Sequence, residues 1–211
     1  LNPDVLLKDE TIDEIIRASK KIDTFSIISP IMENENYPNY KLSEEDDFTN
    51  KKDEPFKVKS VDGFAMLLNL SRLNKLENFR NKKYFDENIF LYLENDDLCK
   101  RVIENNENIY IIPKSKIKHL GAKAVDKKYE YQIELSRNWH WVWSKFYYNK
   151  KHYSYLNAFF KVCPIFISAT FKMLIYFFIN KKKKEIYIYR MLGFLNAAVG
   201  KKSFYRPKIN Y

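Results

Sequence analysis

Residues 154–179 constrain this chain most. They form a long apolar run in which Lys161 and Lys172 are the only charges. A run of this length reads as a helix. At about 100° per residue, the two lysines project within about 20° of each other, and Ser168 joins them. The polar stripe is therefore narrow on an otherwise apolar surface. Lys181-Lys182-Lys183-Lys184 follows at once, and a last short helical segment is expected near 186–198.

This run sits in a half of the chain with its own electrostatics. Residues 136–211 hold 15 Lys and Arg against one acid, Glu185, whereas residues 1–135 hold 22 Lys and Arg against 26 Asp and Glu. That polarisation argues for a near-neutral body at 1–135 and a basic, aromatic helical tail at 136–211. Ser136 can cap a helix running to about Tyr155, on which Trp139, Trp143 and Tyr147 share one face at i, i+4 and i+8. With Trp141, Lys145, Lys150 and Lys151, this pattern suits either packing on the body or contact with a headgroup region. The reading taken here is a membrane surface engaged through 136–184, peripheral or monotopic at the cytoplasmic face of the cell membrane. A spanning helix fits less well, because the longest uncharged piece is Val162–Phe171. Basic charge with aromatics also suits single-stranded nucleic acid. Here, however, the charge flanks long apolar runs that phosphate binding does not need, so no nucleic-acid partner is expected.

The body is bounded mainly by what it lacks. Gly63, Gly121, Gly193 and Gly200 are the only glycines, and their spacing builds neither a P-loop nor a Rossmann fingerprint. Cys99 and Cys163 form no CxxC pair, which fits free thiols in a reducing compartment. His119, His140 and His152 have no zinc-ligand spacing. Thr11-Ile-Asp-Glu14 has capping-box spacing ahead of a helix near 11–21. Phe25–Ser29, stopped by Pro30, reads as a buried strand, and residues 33–57 as a loop. Phe64–Leu68 reads as a strand and Ser71–Leu76 as a short helix. A helix capped by Asp96 or Asp97 should run to about Glu104, with Leu98, Cys99, Val102 and Ile103 inward, and Ile109–Ile112, ended by Pro113, should be a strand. Strands alternating with helices indicate an α/β fold with a mixed sheet flanked by helices.

Chemistry concentrates in Phe85–Arg101, FDENIFLYLENDDLCKR, where acids surround a strand-like aromatic run and end at a helix start. Like charges repel, so such a cluster serves chemistry or a cation more often than stability. The run belongs to an ordered set: Leu1-Asn-Pro-Asp4, Ile27-Ile-Ser-Pro30, Val61-Asp-Gly63, Phe85-Asp-Glu87, Phe90-Leu-Tyr92, Glu94-x-x-Asp97-Leu98-x-x-Arg101, Pro113 and His119-Leu-Gly121. In order and spacing, from residue 1 to about 125, the set resembles family 2 glycosyltransferases, especially rhamnosyltransferase-like bacterial members with a GT-A fold.

The resemblance implies a partial GT-A-type sheet. It also implies an inverting transfer from a nucleotide-sugar donor to a glycan or lipid-linked acceptor in surface polysaccharide synthesis. In that family the first βαβ units precede the Asn-Pro-Asp element and hold much of the nucleotide. Leu1-Asn-Pro-Asp4 accordingly reads as the middle of a longer protein, whose isolated 1–211 part would be inactive. Asp4 would contact Mg²⁺ or Mn²⁺ bridging the diphosphate, with Asn2 replacing the first acid, and His119 would join the metal or the diphosphate. Glu94, and next to it Asp97, would be the general base that takes the acceptor hydroxyl proton. Asn95 stands where the family usually has an acid. Asp86 and Glu87 would shape the acceptor side, Gly63 would leave backbone room beside the sugar, and Arg101 would complete the substrate-binding set.

Each position also has a plain structural reading. Asp4 can be a turn residue, His119 a packed strand-end histidine and Gly63 a tight-turn glycine. Asp86 and Glu87 can open a strand, Asp96 can be a solvated helix-start acid, and Asp97 can cap a helix and pair with Arg101 at i+4. The competing function is a non-catalytic, membrane-attached glycan-binding or partner-docking module.

Overall fold

A computed structural model describes residues 1–34, 36–42, 53–79, 81–121 and 126–207. The architecture is mixed α/β. The chain divides into two compact units, Leu1–Asp86 with Asn95–Ala124, and Glu87–Glu94 with Val125–Tyr211.

The first unit is built on a mixed sheet. Strand β2 (Ile27–Met32) lies beside β7 (Ile109–His119) in parallel. Strand β1 (Val5–Leu7) pairs antiparallel with the far end of β7, β4 (Phe56–Lys57) pairs with its near end, and β6 (Leu67–Leu68) pairs with β2. Strand β3 (Tyr40–Lys41) pairs separately with β5 (Ser60–Val61). Side-chain alternation assigns the two faces. Ile27, Ile109 and Ile111 join Leu98, Cys99 and Val102 of α3 (Glu94–Glu104), whereas Ile28 and Ile112 join Ile15 and Ala18 of α1 (Thr11–Lys21). The sheet thus has a helix on each side.

Both prolines expected to stop strands lie inside them. Pairing jumps from Pro30 opposite Ile112 to Ile31 opposite Lys116, so three extra residues of β7, Pro113 among them, bulge there. A bulge removes the need for a ladder N–H that proline lacks. Phe64–Ala65 packs as buried loop rather than strand, and α2 is only Leu70–Leu73. Residues 35 and 43–52 of the expected loop 33–57 lie outside the described residues, and its flanks supply β3 and β4.

The capping signals misplaced two helix starts, and at α1, which runs over Thr11–Lys21 as expected, they misassigned the cap. Thr11 is the first residue of α1, preceded by Glu10 in the left-handed region, and its hydroxyl accepts from Lys8 N and donates to the Lys116 carbonyl instead. Glu14 bonds Arg17. Helix α3 begins at Glu94, ahead of Asp96 and Asp97, and Ile103 faces outward. Ser136 is buried within α4 (Glu130–His152), which starts six residues earlier.

The second unit is helical. Besides α4 it has α5 (Tyr155–Ile179), capped by Ser154, and α6 (Lys181–Ala198), capped by Asn180. The tetralysine is therefore the first turn of a helix, a position disfavoured by the helix dipole. Lys182, Lys183 and Lys184 lie over the rings of Tyr131, Tyr176 and Phe177. Trp139, Trp143, Phe146, Val162 and Phe194 form this unit's core, with Trp139 stacked on Trp143 and Trp143 on Tyr147. The aromatic face of α4 is thus used inside its own unit, and Trp139 and Trp143 are withdrawn from any lipid surface.

Among the described residues, α5 is long and apolar enough to cross a membrane by length and composition, with little of it buried. Its exposed side carries Leu156, Phe160, Phe171, Leu174 and Phe178, the last 93% exposed.

Candidate active site

Three segments far apart in sequence meet at the β1 edge of the sheet. Strand β1 pairs Val5 with His119, and the Leu120 N–H donates to the Asp4 carbonyl. This register brings the Asp4 and His119 side chains together, with Nε2 of His119 3.2 Å from Oδ2 of Asp4. The imidazole stacks on Phe64, ring centres 4.4 Å apart, and the Phe64 carbonyl accepts from Asn2 N. Asn2-Pro3-Asp4, Phe64 and His119 form one interlocked corner, in which Asp4 and His119 are both partly buried.

The Val61-Asp62-Gly63 turn continues this corner. Buried Asn39 holds it from one side: its carbonyl accepts from Asp62 N, while its side chain accepts from Met32 N and donates to the Pro30 carbonyl. Asn95 holds it from the other side, donating Nδ2 to the Val61 carbonyl at 2.8 Å. A Cβ on Gly63 would lie 3.1 Å from Asn95 Cβ, so the room this glycine leaves is occupied by the first turn of α3. Its φ is not in the left-handed region, which sets aside the tight-turn requirement.

Asp62, in the middle of this turn, is not among the site residues expected from the sequence. Asp62 is exposed as a residue, yet desolvation of its carboxyl and the nearby Asp96 charge raise its pKa, with Lys41 and His119 opposing. Asp96 binds Lys41 Nζ at 2.6 Å. An acid held above its ordinary range next to a second carboxylate is a marker of functional sites, and the signal available was the acid adjoining Gly63.

The remaining candidates divide. Asp97 is fully buried and accepts from Arg101 Nε at 2.9 Å. Arg101 also donates to the Tyr84 carbonyl and lies 4.6 Å from the Phe79 ring centre. These two residues anchor α3 to the turn before the acidic stretch. Glu94 is half-buried at the start of α3 and groups with the second unit, where its charge acts on Tyr92. Asp86 is half-buried and Glu87 exposed, on either side of the boundary between units. The strand-like run between Glu87 and Glu94 is a chain of turns and bends in which Tyr92 and Leu93 have φ of 68° and 67°.

No known family model, curated protein or solved structure matches this chain.

Among the described residues, no group of three or more His, Cys, Asp or Glu is arranged to hold a metal ion. Asp4 and His119 offer one carboxylate and one imidazole side by side. That set fits a divalent cation completing its shell with water and substrate phosphate, as Mg²⁺ commonly does with one or two protein ligands, and the imidazole also suits Mn²⁺.

Proposed function

We propose that this chain carries the acceptor-side part of an inverting glycosyltransferase that takes a nucleotide-sugar donor and a glycan or lipid-linked acceptor. The observation that carries the reading is the convergence of Asn2-Pro3-Asp4, Phe64 and His119 into one corner, beside the Val61-Asp62-Gly63 turn. Apart from Phe64, those are elements on which the sequence resemblance rests, and the three segments lie roughly 60 residues apart along the chain.

In this reading Asp4 and His119 would hold Mg²⁺ or Mn²⁺. The cation would supply charge neutralisation for the leaving diphosphate. Phe64 keeps the imidazole plane fixed, and the β1–β7 register keeps the Asp4 carboxylate against it. The acceptor oxygen attacks the anomeric carbon, the bond from that carbon to the diphosphate breaks, and a carboxylate takes the hydroxyl proton. Burial of Asp97 against Arg101 favours Glu94 as that base. Attachment to the inner face of the membrane would use the exposed apolar side of α5 and its neighbouring lysines, with Trp139 and Trp143 excluded by their burial.

The test is nucleoside diphosphate release by the full-length protein from a panel of nucleotide sugars, with and without Mn²⁺. Metal-dependent release, abolished in Asp4→Ala and strongly reduced in Glu94→Gln, is expected. Full activity in Asp4→Ala would remove the metal role, and full activity in Glu94→Gln would remove Glu94 as base.

A further inference from the structure

The helical unit holds an open pocket of about 220 Å³ lined by Tyr92, Arg137, Asn138, Trp141 and Arg190. Its lining carries two guanidinium groups, neither in an ion pair among the described residues, and the charge of Glu94 reaches Tyr92 at its edge. Arg190 is fixed in place, donating Nε to Asn138 Oδ1 at 2.6 Å and lying over the rings of Trp141 and Tyr187 at 5.3 and 5.4 Å. Asn138 is itself held by donating to the Glu134 carbonyl. Arg137 is half-buried in α4 and makes no hydrogen bond or ion pair among the described residues. Glu185, the single acid of residues 136–211, accepts from Tyr131 instead.

The fourth side is supplied by strained backbone. Tyr92 and Leu93 both have positive φ, a conformation costing about 1–2 kcal/mol per non-glycine residue. The segment is held there by Ser144 donating to the Leu91 carbonyl at 2.7 Å and by Phe90 packing on His140. Strain of this kind concentrates at ligand sites. Burial raises the Tyr92 phenol above its usual range, against the Arg137 charge and with Glu94 assisting, so the hydroxyl remains a donor.

We propose that this pocket is a phosphate-binding site, in which the Arg137 and Arg190 guanidinium groups and the Tyr92 hydroxyl donate to the oxygens of a phosphomonoester or diphosphate. Guanidinium forks match phosphate geometry, and a half-buried guanidinium without a partner gains most from an anion. The site lies on the helical unit and is independent of the Asp4–His119 corner, so it stands or falls separately from the transferase reading. The same chemistry can arrive on a soluble molecule or on a lipid headgroup.

The experiment titrates the full chain with inorganic pyrophosphate by calorimetry and, in a second arm, measures flotation with phosphatidylcholine vesicles with and without phosphatidic acid. Wild type, Arg137→Gln, Tyr92→Phe and Lys202→Gln are compared. Lys202 is an exposed residue outside the pocket, and it controls for loss of one charge. Helical circular dichroism checks that each variant folds. Arg137→Gln should weaken binding about tenfold or more, Tyr92→Phe less, and Lys202→Gln less than about twofold, the scale of a lost charge-assisted hydrogen bond against a diffuse charge. Arg137-dependent binding of pyrophosphate identifies a soluble phosphate ligand. Arg137-dependence seen only with phosphatidic acid vesicles identifies a headgroup. Equal losses in Arg137→Gln and Lys202→Gln, or no binding in either arm, would overturn the proposal.

Discussion

The Asn95 side-chain amide donates to the Val61 carbonyl at 2.8 Å, tying the first turn of α3 to the Val61-Asp62-Gly63 turn. Where the resembling family has an acid, this chain has a donor. A carboxylate at the same position cannot donate, and it would face the carbonyl oxygen at short range. Asn95→Asp is therefore expected to destabilise the first unit by about 1–3 kcal/mol at neutral pH, the cost of an unmade partly buried hydrogen bond. Urea denaturation at pH 7 measures it, and an unchanged midpoint would mean the tie contributes nothing.

A second prediction concerns the other end of the motif. Asp97 has no solvent exposure and Arg101 is its partner at i+4. Truncating one member of a buried pair leaves a buried charge, at a cost of about 3–5 kcal/mol. Asp97→Ala should reach that range, whereas Glu104→Ala, exposed on the same helix and paired with Lys100, should stay within about 1 kcal/mol. Denaturant midpoints of the two variants make the comparison.

These two contacts indicate where the sequence was readable. Period and burial pattern placed α1, α3, β2, β7 and α5, because apolar spacing follows directly from which face must be covered. Proline and capping signals were weaker, since both depend on tertiary partners. Pro30 and Pro113 are accommodated by a bulge between two strands distant in sequence, and Thr11 turns to the Lys116 carbonyl. Asp4 and His119 were named from a motif, but their contact depends on the β1–β7 register. Asp62 was missed because its perturbation comes first from desolvation and then from the Asp96 charge, both of which depend on tertiary packing. The withdrawal of Trp139 and Trp143 from the surface was hidden for a similar reason. A stripe of aromatics at i, i+4 and i+8 looks the same whether it meets lipid or another helix.

Asp62 gives a pH signature. Its pKa is raised in the folded chain from an ordinary 3.8, so the folded state binds the extra proton. Its contribution to stability is complete below that ordinary value and is lost as pH rises through the raised folded value. Asp62→Asn should remove this loss. The variant should be more stable than wild type at pH 7, and the difference should shrink as pH falls toward 4. Thermal melts across that range test the sign, and a variant less stable at pH 7 would contradict it.

Gly193 shows close packing of a different kind. A Cβ there would collide with the backbone carbonyl of Trp139, which cannot move without shifting α4. In an isolated helix, glycine to alanine gains about 0.8–1.0 kcal/mol. Here the overpacking cost of about 1–3 kcal/mol should exceed it. Gly193→Ala is expected to lower the midpoint of the helical unit, and near-ultraviolet circular dichroism should report the disturbed Trp139–Trp143 stack.

His140 supplies the last test, with the opposite sign to Asp62. It is fully buried, its Nε2 donates to the Tyr205 carbonyl at 2.8 Å, and its Nδ1 accepts from Ser203 at 2.9 Å. Desolvation lowers its pKa from 6.5; the bond to Tyr205 opposes the shift, and the Arg206 charge adds to it. The unfolded chain then takes up a proton near 6.5 that the folded chain still refuses. Stability is complete above 6.5 and falls as pH drops toward the lowered folded value. The residues that this imidazole clamps, Ser203 and Tyr205, follow the last helix, so acidification should release the C-terminal segment first. Hydrogen exchange at residues 201–207 should accelerate between pH 6.5 and 5 in the wild type beyond the intrinsic pH effect. In His140→Gln the same segment should exchange faster at pH 7 and show no further pH dependence of this kind. Matching pH profiles in the two proteins would show that the segment is held by other contacts.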